Sequence, residues 1–202
     1  WGHAVSEDLV NWQELPVAIS EEKEHAIFSG SAVVDHLNTT GFGTIENPAM
    51  VAIYTAHKHD HSHQAQCLAF SLDEGLTWSK YQENPVLDLS RDHFRDPKVS
   101  WNEEMNAWLM AVVLPTERKV SFYKSINLKE WQHLSDFGPA AIVDGDWECP
   151  DLFPLNVAGD KSKIKWGLIV SLNPGGLTGG SGTQYFIGNW NGKEFIADDL
   201  NP

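Results

Sequence analysis

One short stretch of the chain combines an acid with apolar neighbours and a proline. Residues 147–153 read Trp-Glu-Cys-Pro-Asp-Leu-Phe, so that Glu148 stands between an aromatic residue and a cysteine. A carboxyl group in an apolar setting favours its protonated form, which a general acid working near neutral pH requires. The stretch therefore indicates a proton-transferring acid, with an exposed acid at a strand end as the alternative interpretation.

A second acid, Asp96, lies in the sequence Phe-Arg-Asp-Pro at residues 94–97. Its neighbour Arg95 can hold the Asp96 carboxylate ionised and can also bind hydroxyl groups. Two carboxylates that converge on one site are the minimum apparatus for glycoside hydrolysis. An Arg–Asp pair that caps a strand end is the alternative interpretation of this motif.

Two further stretches offer side chains for ligand binding. Residues 28–31, Phe-Ser-Gly-Ser, are expected just before a strand, where the glycine permits close approach of a ligand and the serines supply hydroxyl groups. Four alternating histidines, His57, His59, His61 and His63, would face one side of an extended segment and could bind a transition metal. We interpret them as an exposed polar hairpin loop instead, because no fixed ligand set accompanies them, although a role at the rim of a substrate site is compatible with that loop.

The composition excludes several classes of partner. The formal net charge is −14, and no basic stripe offsets it, which argues against nucleic acid and anionic membranes as partners. No apolar run approaches the ~18 residues that a membrane span needs. The two cysteines do not make a disulfide framework, and we interpret both as free thiols. An acidic chain with nine tryptophans suits a neutral ligand such as a sugar.

The elements that must position these residues are predicted to be short β-strands. Runs of β-forming residues recur between Gly, Pro, Asn and Asp clusters, and helical periodicity is nearly absent. The predicted strands are residues 31–35, 50–56, 67–71, 98–101, 108–114, 119–125, 152–155, 165–171 and 183–190. The glycine-rich residues 175–182 are predicted to be a turn between two strands, and not a phosphate loop, because no helix follows them. The pattern indicates an all-β architecture.

A sequence repeat indicates how the strands are grouped. Residues 6–12, 71–78 and 125–131 each read Ser-x-Asp/Asn followed by Leu and Trp, and residues 189–195 are a looser copy ending in Phe. We interpret each copy as a turn in which the Ser and Asp/Asn side chains accept backbone N–H groups and the aromatic residue packs under the next strand. Repeats of about 50–70 residues with about four strands are typical of propeller blades. The spacing places Asp96 and Glu148 at roughly equivalent positions of consecutive blades, converging on one axis.

Together these motifs resemble glycoside hydrolase family 32, the β-fructofuranosidases that include invertases, inulinases and levanases. The matching pieces occur in the order of the family and span nearly all 202 residues. They are residues 1–4 (Trp-Gly-His-Ala) with 6–12, residues 28–31, 94–97 and 148–153 (Glu-Cys-Pro-Asp-Leu-Phe), and residues 173–176 (Asn-Pro-Gly-Gly) leading to 182–186 (Gly-Thr-Gln-Tyr-Phe). Five weak motifs in order make the resemblance specific.

The resemblance implies a five-bladed β-propeller with a funnel-shaped site, of which this chain covers roughly three to four blades. It implies Glu148 as the general acid/base, and Asp96 with Arg95 as stabilisers of the transition state. Phe28 and Ser29 would line the fructose subsite. The implied activity is retaining cleavage of terminal β-fructofuranosidic bonds in sucrose, inulin or levan, without a metal or organic cofactor. We expect an extracellular or secreted protein; an N-glycosylation sequon occurs at residues 38–40.

The sequence departs from the family in one respect. The family's nucleophile is an Asp in an Asn-Asp-Pro-Asn-Gly motif, which does not occur in these 202 residues. We therefore expect residues 1–202 to be a fragment of the catalytic propeller, without the nucleophile segment, the end of the propeller and the β-sandwich domain, and to be inactive alone. Three alternatives stay open: a fructosyltransferase with the same intermediate, a non-catalytic carbohydrate-binding propeller, and a metal protein built on the histidines.

Overall fold

The computed structural model describes residues 1–200; residues 201 and 202, the last two of the predicted propeller domain, lie outside the described residues. The strands are β1 His3–Val5, β2 Gln13–Leu15, β3 His25–Val34, β4 Met50–Lys58, β5 Gln64–Ser71, β6 Ser79–Lys80, β7 Leu87–Arg91, β8 Arg95–Asn102, β9 Ala107–Leu114, β10 Lys119–Ser125, β11 Gln132–Phe137, β12 Asp146–Val157, β13 Asp160–Asn173, β14 Gly182–Trp190 and β15 Phe195–Ala197. All nine predicted strands are present. Within the described residues the helical structure is one 3₁₀ turn, Pro115–Glu117, so no described helix could cross a membrane.

The strands form separate antiparallel sheets in which strand order follows chain order. One sheet has the order β3-β4-β5-β6, with β7 also paired to β5; the next two have the orders β8-β9-β10-β11 and β12-β13-β14-β15. In each of these three, the first strand lies at one edge and short connections link neighbours, which is the pattern of a propeller blade. Strands β1 and β2 form a two-stranded sheet. The all-β prediction and its three to four blades are confirmed.

The core lies between successive sheets. On β9, Leu109, Ala111 and Val113 pack into the cluster shared with the sheet β12–β15, whereas the alternate residues pack into the cluster shared with the sheet β3–β7. Successive side chains of a strand point to opposite faces, so β9 is buried on both sides and reads as an unbroken apolar run. Burying each large apolar side chain contributes about 1.5–3 kcal/mol, so this stacking holds the sheets face to face.

The repeated turns use the predicted side-chain contacts. In the second copy, Ser71 Oγ accepts the Gly75 N–H at 2.9 Å, Asp73 Oδ1 accepts the Thr77 N–H at 2.9 Å, and Trp78 Nε1 donates to the Gly75 carbonyl at 2.8 Å. Equivalent contacts hold the first and third copies, and in the looser copy Asn191 Oδ1 accepts two backbone N–H groups. The four copies connect neighbouring strands of one sheet: β1 to β2, β5 to β6, β10 to β11 and β14 to β15.

Other local predictions have definite outcomes. Cys67 and Cys149 are both free thiols, as expected. Residues 175–181 lie between β13 and β14, and Gly182 opens β14, which confirms the predicted turn between two strands. In the sequon at residues 38–40, the Thr40 hydroxyl is buried and donates to Asp35 Oδ2 at 2.7 Å, so in the folded chain this hydroxyl is already part of a local hydrogen-bond network.

Candidate active site

The predicted strands began at residues 31, 98 and 152, at or beyond the chemistry-bearing residues, whereas the observed strands include those residues, which corrects the sequence prediction. Residues 28–31 are part of β3, Arg95 to Pro97 open β8, and Glu148 to Pro150 lie near the start of β12. Pro97 and Pro150 therefore lie within strands, although the predicted strands began only after them. They are tolerated because β8 and β12 are edge strands and each proline falls in a β-bulge, where a ladder hydrogen bond is not required.

The same one-residue bulge occurs in the first strand of all three large sheets. Each time, three steps along the first strand correspond to two steps on its partner. The flanking pairs are Ile27–Ala56 and Gly30–Tyr54, Arg95–Val113 and Lys98–Ala111, and Glu148–Ser171 and Asp151–Ile169. A bulge bends its strand and re-aims the side chains beside it. The fold thus presents three bulged edges to one region.

The bulges also correct the predicted equivalence of the two acids. By register, Glu148 corresponds to Arg95, and Asp96 corresponds to Cys149, so the acids differ by one position. Asp96 and Cys149 both have a left-handed backbone, with φ of 61° and 48°. The offset brings the two blades into direct contact, because the Cys149 N–H donates to Asp96 Oδ2 at 3.0 Å.

A cleft of about 200 Å³ lies where the three bulged strands meet. Its lining comes from all three motifs: Ser29, Gly30, Asp96, Pro97, Lys98, Cys149, Pro150 and Asp151. Ser31 ties β3 to β8, since its Oγ accepts the Val99 N–H at 3.0 Å and donates to the Pro97 carbonyl at 2.9 Å. Lys98 Nζ lies 3.0 Å from Asp151 Oδ2 and links β8 to β12.

Arg95 is the charged centre beside this cleft. Its Nη2 lies 2.7 Å from Glu148 Oε1 and 3.8 Å from Asp146 Oδ2, and its Nε lies 3.9 Å from Asp96 Oδ2. The side chains of Arg95 and Asp96 are only 11% and 7% exposed, whereas that of Glu148 is 26% exposed. One guanidinium group therefore faces three carboxylates from two blades. Asp146 was not predicted from the sequence.

The surroundings of Glu148 differ from the apolar setting that its sequence neighbours suggested. Trp147 is fully buried in the core between two sheets, because alternate residues of a strand face opposite sides. The Glu148 carboxylate instead meets Arg95. The neighbours of Glu148 in sequence are therefore not its neighbours in space. The predicted convergence of Glu148, Asp96 and Arg95 is observed.

Burial dominates the electrostatics of Asp96. It raises the pKa of this carboxyl group, and the nearby Glu148 adds to the rise; the N–H of Cys149 and the charge of Arg95 act in the opposite direction. Burial, with the negative charges of Asp96 and Glu148, likewise raises the pKa of the Cys149 thiol to about 11. The thiol is therefore neutral near pH 7 and unsuited to act as a nucleophile.

Phe28 and Ser29 are the two residues inside the bulge of β3, and they offer an aromatic side chain and a hydroxyl group. The Phe28 ring is 38% exposed and stacks on the His57 ring, with centroids 4.2 Å apart and planes at 21°. Trp1 Nε1 donates to the Phe28 carbonyl at 2.9 Å, which fixes this edge to the start of the chain. Ser29 lies in the wall of the cleft. All five predicted site residues thus lie on the bulged strands.

The histidine stretch spans the end of β4 and the β4–β5 connection, and His57 is buried in β4, which corrects the prediction of an exposed loop for that residue. Gln64 Oε1 accepts the Phe94 N–H, so Gln64 Nε2 donates to His57 Nδ1 at 3.1 Å, which leaves His57 Nε2 to donate to His61 Nδ1 at 2.8 Å. Burial and the charges of His61 and Arg95 lower the pKa of His57. The four side chains do not face one side, and no His, Cys, Asp or Glu group among residues 1–200 could hold a metal ion.

Sequence reasoning missed three buried polar residues behind the motifs, Thr55, Gln64 and Gln66. They are 0%, 2% and 0% exposed and contact the backbone of Phe94 or Asp96. A threonine in the apolar run 50–56 was the available signal. The two glutamines alternate with apolar residues on β5 and so resemble solvent-facing positions of an ordinary half-exposed strand.

The chain is similar in sequence to a known protein family and to several of its relatives. The sequence model described as the Glycosyl hydrolases family 32 N-terminal domain matches residues 1–201. The chain is 48% identical to a levanase of Bacillus subtilis over 197 residues, covering 96% of this chain and 28% of the levanase. It is 44% identical to an extracellular exo-inulinase of Meyerozyma guilliermondii over 203 residues, covering 98% of this chain and 39% of that protein.

A solved structure of similar fold is the fructofuranosidase from Schwanniomyces occidentalis complexed with fructose. It superposes with a TM-score of 0.93 at 43% identity, covering 100% of this chain and 40% of that chain. This chain therefore spans well under half the length of each of these three relatives. The likeness extends over the whole of the described fold and includes all three bulged strands.

Proposed function

The chain belongs to glycoside hydrolase family 32, and from that premise we propose that it is part of an enzyme that hydrolyses terminal β-fructofuranosidic bonds in fructans or sucrose. One observation supports this most directly: Arg95 and Glu148, from consecutive blades, are in contact at 2.7 Å beside a cleft that also holds Asp96. Retaining glycosidases need two carboxylates around the scissile bond, held in fixed geometry.

In the proposed reaction, Glu148 protonates the leaving oxygen and later removes a proton from water. Its side chain is partly exposed, as a group that contacts both substrate and water must be. Arg95 and Asp96, which are more deeply buried, would grip fructose hydroxyls and favour the cation-like transition state. Phe28 and Ser29 would contact the same sugar.

The proposal requires a nucleophilic carboxylate about 5–5.5 Å from the acid. Asp96 is an unsuitable nucleophile because its side chain is only 7% exposed and its Oδ2 already accepts the Cys149 N–H. We infer that the nucleophile belongs to a segment of the enzyme outside these 202 residues. On this basis residues 1–202 alone are expected to bind fructosides weakly and to show no turnover.

The substrate and location follow from the relatives. Levanase, invertase and exo-inulinase are among them, so we propose a neutral fructoside, either sucrose or a fructan, as the substrate. The exo-inulinase relatives are described as extracellular, which supports secretion of the whole enzyme. No metal or organic cofactor enters the proposed reaction.

The proposal is tested by Glu148→Gln in the full-length enzyme, with sucrose, inulin and levan as substrates. Loss of the proton donor is expected to lower kcat by about 10²–10⁴-fold while the substrate still binds. Glu103→Gln, at an exposed acid in the β8–β9 turn, is the matched control and should retain full turnover. Near-normal turnover by the Glu148 variant would end its assignment.

Product analysis separates the remaining alternatives. Free fructose at high sucrose concentration supports hydrolysis, whereas new oligosaccharides would show transfer to a sugar acceptor. A wild-type full-length protein that binds fructosides but releases no fructose from any of the three substrates would show a carbohydrate-binding propeller.

A further inference from the structure

We propose that Thr55 and Gln66, buried in the blade formed by β3–β7, are positioning residues for the Arg95–Asp96 bulge of the next blade. The inference rests on the proposed function, because it concerns how that site is held in place. Neither side chain reaches the cleft lining. Both are fully buried and hydrogen-bonded to the chain that carries Arg95 and Asp96.

Thr55 holds the bulge at its most unusual residue. Its Oγ1 accepts the Asp96 N–H at 3.1 Å and donates to Gln66 Oε1 at 2.8 Å. Asp96 has φ of 61°, a conformation that non-glycine residues adopt rarely and only where the surroundings impose it. At this conformation the Asp96 N–H lies in the bulge, outside the regular ladder, and Thr55 supplies its acceptor.

Gln66 and Gln64 together hold the backbone of Phe94, the first residue of the motif, at its carbonyl and its N–H. Gln66 Nε2 donates to the Phe94 carbonyl at 2.8 Å, while Gln64 Oε1 accepts the Phe94 N–H at 2.8 Å. Phe94 is itself fully buried, and both polar groups of its backbone are bonded to these two glutamines. Because Gln66 also accepts from Thr55, the two contacts on residues 94 and 96 form one connected network.

The direction of each hydrogen bond in this network is determined. The Asp96 and Phe94 N–H groups can only donate, and the Phe94 carbonyl can only accept. The Thr55 hydroxyl hydrogen must therefore go to Gln66 Oε1, and Gln66 has no alternative amide orientation. A buried network with a single satisfied arrangement specifies one backbone position, because any shift leaves a buried polar group unpaired.

The consequence for the reaction is geometric. Asp96 and Arg95 are proposed to act on the transition state, and a displacement of about 1 Å in such groups lowers rates by about 10²-fold. Removing the Thr55 hydroxyl leaves the Asp96 N–H without an acceptor inside the protein. The bulge then relaxes toward other conformations, while the Asp96 and Arg95 side chains remain chemically intact.

The experiment compares Thr55→Val with Thr55→Ser in the full-length enzyme. The valine variant keeps the shape but not the hydroxyl, and we expect kcat to fall about 10–100-fold with KM changed less than about threefold. The serine variant restores the hydroxyl and should stay within about threefold of wild type. Gln66→Met serves as the second variant and is expected to resemble Thr55→Val.

Asn84→Leu is the matched control for loss of a side-chain clamp on a backbone N–H and carbonyl. Asn84 holds Leu68 in the same way, accepting its N–H at 2.7 Å and donating to its carbonyl at 2.8 Å, but it contacts none of the motifs. This variant should lose thermal stability and keep wild-type kcat. Equal losses of kcat in Asn84→Leu and Thr55→Val would show a merely structural role and overturn the inference.

Amide hydrogen exchange provides a readout that does not depend on activity. Peptides that contain Asp96 should exchange about tenfold faster in Thr55→Val than in wild type, Thr55→Ser or Asn84→Leu. Unchanged exchange in Thr55→Val would overturn the inference even if the enzyme is active. If the wild-type protein releases no fructose but Thr55→Val still exchanges faster than wild type at Asp96, the positioning role is upheld and the proposed function is rejected.

Discussion

The two ends of the sheets differ in what is repeated. At the bulge end, Ile27, Arg95 and Glu148 occupy the same register position, so one backbone geometry carries three different chemistries. At the turn end, where β5 meets β6, both backbone and side chains recur, as in the Ser71 and Ser125 copies. The pairings Ile27–Ala56–Ala65 and Val34–Met50–Ser71 put these features at opposite ends of one sheet.

The difference separates residues that hold the fold from residues that act. A side chain repeated in every blade satisfies backbone groups that every blade has, and so it serves stability. Where the backbone geometry recurs but the side chain differs between blades, the side chain is not needed to satisfy the backbone and can serve another function. The bulge end and the turn end therefore predict opposite results for substitutions, in activity and in stability.

Among the substitutions that compare the two ends, Asp96→Asn at the bulge end has the largest expected effect. Loss of this carboxylate should lower kcat/KM about 10²–10³-fold. Because burial raises the pKa of Asp96, its contribution to the free energy of unfolding is fully present below the unfolded-state pKa and is lost as pH rises through the folded-state pKa. Asparagine cannot ionise, so at pH 7 the variant should be at least as stable as wild type.

Urea denaturation between pH 4 and 8 and steady-state kinetics measure both parts of this prediction. Asp92→Asn, at an exposed acid near the motif, is the control that should change neither quantity. A variant that loses activity together with stability at pH 7 would remove the contrast between the two ends.

A smaller and opposite effect is expected from Ser71→Ala at the turn end. The Ser71 hydroxyl is buried and serves the turn by accepting the Gly75 N–H and donating to Asp73. Its loss should lower the free energy of unfolding by about 1 kcal/mol and leave kcat unchanged. Ser29→Ala, the matched substitution at the bulge end, should leave stability within about 0.5 kcal/mol and raise KM about threefold to tenfold.

The smallest effect concerns His57, which lies at the bulge end but behind Phe28. Burial lowers its pKa, so its contribution to stability is fully present above the unfolded-state value of about 6.5 and is lost as pH falls toward the folded-state pKa. The free energy of unfolding should therefore decline below about pH 6.5, and His57→Gln should reduce that decline. The exposed His36→Gln is the control. An unchanged pH dependence in the His57 variant would contradict the prediction.

The strands that bury two faces were predictable, and the shorter ones were not. β9 and β10 read as apolar or alternating runs because stacked sheets require them, and the repeat located the turns. β1, β2, β6 and β15 have two or three residues each, too few for any periodicity. The predicted strands began only after Pro97 and Pro150, because a sequence does not show that an edge strand can bulge at a proline.

At the site, the sequence predicted which residues converge but not how they are held. Glu148, Asp96 and Arg95 were found from motif chemistry and blade spacing, yet the one-residue offset between the acids depends on bulge register. Gln64 and Gln66 follow an alternating pattern that in most sheets means exposure to solvent. Here the two glutamines are covered by Phe94 and the start of β8, which belong to the next blade, and this contact between blades cannot be read from the pattern of one strand.

The grip on Phe94 limits how such a chain can be divided and recombined. The holding side chains come from β4 and β5, whereas the held residues, Phe94 and Asp96, lie just before β8 and at its start, so the working unit straddles two successive repeats. In a chimera of two related proteins with its crossover between β7 and β8, residues 94–97 come from one parent and the side chains that hold them come from the other. Crossovers within the β10–β11 turn leave that partnership whole. The segment from β4 to β8 must therefore come from one parent if the site is to stay intact, and exchange of single blades does not achieve this.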